Sequence, residues 1–103
     1  MRKILLIGAG RSASNLIQYL LEKSYDESLF LTVGDLHLSA ASALLNNHPN
    51  AEAIFLDIND TQQRRQAISQ ADIVISMLPA HLHMEVAKDC LHYKKKHGYR
   101  LVH

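Results

Sequence analysis

With 103 residues, 48% of them hydrophobic, and eleven Lys and Arg against ten Asp and Glu for a net charge of +1, the chain is sized for one ordinary globular domain. That balance offers no electrostatic case for nucleic acid or an anionic membrane surface, and no apolar stretch approaches the roughly 20 residues of a membrane span. A single cysteine, Cys90, excludes an internal disulfide, and an apolar run that starts at residue 3 leaves no room for a leader, so a cytoplasmic protein is expected.

Strand and helix patterns alternate along the whole chain. Residues 3–7 form a short apolar run that predicts a first strand. Residues 11–23 follow with Leu16, Leu20, Ile17 and Leu21 at i,i+4 spacing, the signature of a helix with one buried side. Residues 24–28 are polar and read as a loop. A second strand is expected at 29–33, ending at Gly34 and Asp35. A second helix is expected at 38–46, stopped by Asn46, Asn47, His48 and Pro49. Residues 53–56 form a third strand, ending at Asp57. Asp60 reads as an N-cap, with Gln63 three residues on in a capping-box-like arrangement. A fourth strand is expected at 73–77, closed by Pro79. The last helix is expected at 80–96, with Leu82, Val86 and Cys90 on its inner side and Gly98 as its stop, where Lys94, Lys95 and Lys96 suit the negative end of the helix dipole. Residues 99–102 begin a fifth strand.

These strands are continuous apolar runs rather than alternations, which fits a parallel sheet covered on both faces. Right-handed crossovers then give an α/β fold with a doubly wound parallel sheet, the Rossmann arrangement, of about five strands in order 3-2-1-4-5. In such a sheet a ligand sits beyond the carboxyl ends of the strands where the order reverses, here between strands one and four. The loops at residues 8–12 and 76–80 are expected to face each other there.

The first of those loops carries the chemistry. Gly8-Ala9-Gly10-Arg11-Ser12-Ala13 is G-x-G-x-x-A between a strand and a helix, the context a dinucleotide requires. Gly8 permits the tight turn, Gly10 lets a pyrophosphate approach the backbone, and Ala13 lets helix and strand pack closely. The N–H groups that open the helix then face the phosphates. A bare G-x-G-x-x-A is also compatible with a plain glycine turn, so its position in the fold is what gives it meaning. Asp35 ends the second strand, 25 positions beyond Gly10, where an acid meets the adenosine ribose; the usual spacing is ~20, and the loop at 24–28 accounts for the difference. An acid there suits the free hydroxyls of NAD and repels the 2′-phosphate of NADP unless a cation such as Arg11 compensates. Asp57 and Ile58 fall beside the adenine position, and residues 76–79, Ser-Met-Leu-Pro, pass near the nicotinamide ribose. His81 and His83 diverge on their helix and no Cys/His set has ligand spacing, so no metal is expected. Cys90 reads as a buried small hydrophobe, and no catalytic grouping is apparent.

Residues 7–14 (Ile-Gly-Ala-Gly-Arg-Ser-Ala-Ser), residues 71–83 (Ala-Asp-Ile-Val-Ile-Ser-Met-Leu-Pro-Ala-His-Leu-His) and residues 86–90 together resemble the N-terminal part of saccharopine dehydrogenases. The resemblance implies an oxidoreductase of lysine metabolism that passes hydride between NADP or NAD and a carbon–nitrogen bond. It implies pyrophosphate binding by Gly8, Gly10, Arg11, Ser12 and Ala13, adenosine-ribose contact at Asp35, adenine contact at Asp57 and Ile58, and nicotinamide-ribose contact at Met77, Leu78 and Pro79. Members of that family continue into a further strand and a substrate domain, whereas this chain stops at His103. The stretch 91–97 is also longer and richer in lysine than the family's connection. The chain therefore reads as one dinucleotide-binding domain over residues 1–103, expected to bind cofactor without turning over saccharopine. An unpaired sheet edge invites a homodimer. The competing reading is a stand-alone nucleotide-sensing module that controls a partner through the same glycine loop; the Ser-Met-Leu-Pro block separates the two, since a sensor has no need to shape a nicotinamide site.

Overall fold

A computed structural model describes residues 1–93 and 96–99, with Arg11 and residues 96–99 described by their backbone. β1 (Arg2–Ile7) leads through a 3₁₀ turn (Arg11–Ala13) into α1 (Ser14–Asp26). There follow β2 (Leu29–Asp35), α2 (Leu38–Leu45), β3 (Ala51–Phe55), α3 (Thr61–Ser69), β4 (Ile73–Ser76), α4 (Ala80–His92) and β5 (Lys96–Tyr99). All pairings are parallel and the strand order is β3-β2-β1-β4-β5. This is the doubly wound arrangement, with its reversal between β1 and β4.

The two faces of β1 explain why it reads as a run. Ile4 and Leu6 point into a core shared with Ile17, Leu20 and Leu21 of α1 and Ala41 and Leu45 of α2. Leu5 and Ile7 point the other way, into a core with Ile68 of α3 and Val86 and Cys90 of α4. A strand buried on both sides needs apolar residues at every position. The outer strand β3 has one such neighbour only and is nowhere fully buried.

Three expected boundaries are corrected. The segment 24–28 is not a loop up to residue 26: α1 continues through it, because Ser24 is buried and its hydroxyl donates to the Leu21 carbonyl at 2.6 Å, so its polarity is satisfied within the helix. The long spacing from Gly10 to Asp35 is taken up by this extra turn. The second helix ends at Leu45, and Asn46 adopts the left-handed conformation (φ 46°) that closes it. The last helix ends at His92 rather than running to residue 96. Its inward period through residues 82, 86 and 90 next reaches a lysine, which cannot extend the buried stripe. Gly98 is consequently not a helix stop but lies within β5 opposite Ile75. Lys94 and Lys95, and the expected strand positions 100–102, lie outside the described residues.

Asp60 caps α3 as expected, its Oδ1 accepting the Gln63 N–H at 3.1 Å. The Gln63 side chain reaches further back than a capping box requires, accepting the Asp57 N–H at 3.3 Å. No described helix is long and apolar enough to cross a membrane.

Candidate functional site: the crevice at the strand reversal

The glycine loop is built by constraints visible atom by atom. Gly8 has φ +104°, a conformation L side chains rarely adopt, and a Cβ there would stand 3.4 Å from that of Met77. The loops after β1 and β4 thus meet, as the topology requires. Around Gly10 a Cβ would find nothing within 4 Å, so the backbone there faces open space. The Ala13 N–H bonds to the Gly10 carbonyl at 2.9 Å, closing the turn, and Ala13 is almost wholly buried where α1 begins. Ser12 is exposed at the rim.

Asp35 ends β2, and its carboxylate is held at both oxygens. Oδ2 accepts the N–H of Ala9 at 2.6 Å, and Oδ1 accepts the N–H of His37 at 2.7 Å. The acid therefore braces the glycine loop from the next strand. Gly34 completes the joint: its carbonyl accepts the Gly8 N–H at 2.9 Å, and a Cβ at Gly34 would fall 2.8 Å from Leu56.

On the other side of the crevice the Met77 N–H donates to the Ile7 carbonyl at 2.8 Å. Ser76, buried, places its Oγ 2.7 Å from Nδ1 of His83 on α4, which is also buried. Met77 packs into the core beneath α1, Leu78 is half-buried and Pro79 is exposed. At the third corner Asp57 accepts the Asn59 N–H at 3.0 Å, and Ile58 is 8% exposed, packed mostly into the core with Leu56 and Ile68. The Ile58 carbonyl accepts from Arg64 Nη1 at 2.9 Å. Arg64 is itself buried and paired with Asp89 of α4 at 2.6 Å.

The crevice thus gathers Gly8, Gly10, Ala13 and Asp35 on one side and Met77, Leu78 and Pro79 on the other, with Asp57 and Ile58 after β3. Two residue pairs escaped the sequence reading. His83 is not a stray histidine: it ties α4 to the end of β4. Arg64 and Asp89 tie α3 to α4. Asp89 did leave a signal, because it lies seven residues beyond Leu82 on the buried stripe of its helix and needs a cation there. Burial raises the Cys90 thiol to about 11, with the Asp89 carboxylate adding to the effect. No group of three or more His, Cys, Asp or Glu that could hold a metal is present among the described residues. Two surface depressions, of about 190 and 230 Å³, lie away from the crevice, one over the sheet beside Phe30, Thr32 and Ile54 and one between α1 and α2.

The sequence model of the saccharopine dehydrogenase NADP binding domain matches residues 4–97. The chain belongs to that family. It is 37% identical over 98 residues to the saccharopine dehydrogenase [NADP(+), L-glutamate-forming] of Schizosaccharomyces pombe, covering 95% of this chain and 20% of that protein. It is 38% identical over 63 residues to the alpha-aminoadipic semialdehyde synthase of Arabidopsis thaliana, covering 61% of this chain and 6% of the plant protein. Among solved structures, apo histidine-tagged saccharopine dehydrogenase (L-Glu forming) from Saccharomyces cerevisiae superposes with a TM-score of 0.85 at 26% identity, over 100% of this chain and 22% of that one. The chain spans about a fifth or less of the curated relatives it matches.

A dinucleotide meets a fitting cradle along the glycine loop, where Gly10 leaves open space and Gly8 holds its positive φ. Asp35, whose carboxylate is fixed at this loop, offers neither a donor nor a positive charge to the 2′-phosphate that distinguishes NADP from NAD.

Proposed function

We propose that residues 1–103 form the dinucleotide-binding domain of an oxidoreductase acting on a carbon–nitrogen bond of saccharopine type. The observation that carries this reading is the packing of Gly8 against Met77, so close that a Cβ on Gly8 would stand 3.4 Å from that of Met77, with the glycine loop against the family-like Ser-Met-Leu-Pro segment at the strand reversal. In this reading Gly8, Gly10, Arg11, Ser12 and Ala13 surround the pyrophosphate through backbone N–H groups. Asp35 accepts hydrogen bonds from the adenosine ribose, and Asp57 with the exposed remainder of Ile58 borders adenine. Met77, Leu78 and Pro79 border the nicotinamide ribose. A bound nicotinamide supplies the hydride acceptor or donor; the chain's own task is to hold and orient it.

The chain covers 20% of the Schizosaccharomyces pombe relative, and in this reading substrate contacts come from outside the dinucleotide-binding domain. A cytoplasmic setting is supported by the one cysteine, free and buried. Self-association is a further part of the proposal: among the described residues β3 and β5 each pair on one side only, and an open edge can accept a second copy. Light scattering at high concentration tests this, and a strictly monomeric mass removes it. For the function itself, the purified chain should quench or shift dinucleotide fluorescence saturably while forming no reduced cofactor from saccharopine. Turnover by the chain alone would contradict the assignment of substrate contacts elsewhere.

A further inference from the structure

We propose that this chain selects NAD(H) over NADP(H), with Asp35 as the specificity-determining residue. The inference rests on the dinucleotide reading above and concerns its adenosine end.

Asp35 is immobilised where the adenosine ribose lies in this fold, since both carboxylate oxygens accept backbone N–H groups, from Ala9 and His37. Each oxygen retains acceptor capacity. A ribose hydroxyl can donate to it. A 2′-phosphate brings negative charge instead, and the carboxylate cannot swing aside without releasing the glycine loop.

A compensating cation is missing from the surrounding sequence. Between Lys23 and Arg64 there is no Lys or Arg at all, although this stretch makes β2, α2 and β3. The same stretch holds six acids: Asp26, Glu27, Asp35, Glu52, Asp57 and Asp60. Arg64 is buried and committed to Asp89 and the Ile58 carbonyl. Leu36 and Leu38, which flank His37 just after the acid, are 55% and 45% exposed, so the surface there is apolar where a phosphate needs donors. The remaining candidates are His37, next to the acid, and Arg11 of the glycine loop, which the test includes.

The purified 103-residue chain is titrated with NADH and NADPH by fluorescence, and with ADP-ribose and 2′-phospho-ADP-ribose as competitors. NADH and ADP-ribose are expected to bind at least about tenfold more tightly than their phosphorylated counterparts. Leu36→Arg, at an exposed position, is expected to strengthen NADPH binding about tenfold and leave NADH within about twofold. Arg11→Ala is expected to weaken both cofactors alike. Equal or tighter NADPH binding by the unaltered chain overturns the proposal while leaving the dinucleotide reading intact. A selective loss of NADPH binding in Arg11→Ala overturns it in the same way, by showing that Arg11 supplies the cation. Binding of neither cofactor overturns both.

Discussion

The Asp35 carboxylate accepts the Ala9 N–H at 2.6 Å across 26 residues of sequence, so the acid at the end of β2 is part of the glycine loop's own framework. The side chain braces the loop from the next strand and, in the proposed reading, also meets the ribose. Asp35→Ala leaves a part-buried N–H without its acceptor and should cost about 1.5–3 kcal/mol of stability, the range for hydrogen bonds to a charged group. It should weaken NADH more than NADPH, because the acceptor for the ribose and the charge that opposes a 2′-phosphate are removed together. Denaturant titration and cofactor titration of the same variant check both parts.

Gly8 and Gly34 are demanding positions for different reasons. Gly8→Ala strains the backbone at φ +104° and should cost about 1–3 kcal/mol. Gly34→Ala drives a methyl group to 2.8 Å from a Leu56 side-chain carbon and should destabilise by about 1–3 kcal/mol, the usual cost of overpacking. Gly34→Ala should cost less in a Leu56→Ala background than in the native chain, whereas the cost of Gly8→Ala should be the same in both. Chemical denaturation of the single and double variants distinguishes a packing clash from backbone strain.

The Arg64–Asp89 pair is buried on both sides and also holds the Ile58 carbonyl. Asp89 also accepts from the exposed Arg65 at 3.2 Å, so removing Arg64 leaves a buried carboxylate with that one surface partner. Arg64→Met alone should therefore cost about 3–5 kcal/mol, and Asp89→Leu added to it should restore much of the loss. Thermal melts of the single and double variants check the prediction.

Cys90 titrates near 11 instead of its ordinary 9.0, because burial disfavours the thiolate and Asp89 repels it. The folded thiol keeps its proton through a range in which the unfolded thiol loses it. The corresponding stability is fully present below pH 9 and declines as pH rises toward 11. Cys90→Ala should flatten that part of the pH–stability curve, and the native thiol should react with disulfide reagents at pH 8 only as fast as the chain opens.

Much of the architecture was legible in the sequence because it rests on local signals. The apolar runs gave the parallel sheet, and the glycine turn after the first of them located the strand reversal. The Asp60 cap was readable from residue type alone. Helix ends were less legible, for particular reasons. Ser24 looks like a loop residue until its hydroxyl is seen bonded to Leu21, and Gly98 looks like a helix stop until β4 is seen to take it as a strand partner. The tie between Ser76 and His83 was hidden because a serine seven residues before a histidine has no recognisable spacing. That contact exists only because α4 folds back along β4.

Amide resonances of the isotopically labelled chain during NADH titration test the placement of the site most directly. Shifts concentrated at Gly8, Gly10, Ser12, Ala13 and Asp35, with a second group at Met77 and Leu78, are predicted, while Lys3 and Asp72 at the opposite end of the sheet stay unmoved. Saturable shifts centred instead on the face beside Phe30 and Ile54, with the glycine loop unchanged, would contradict it.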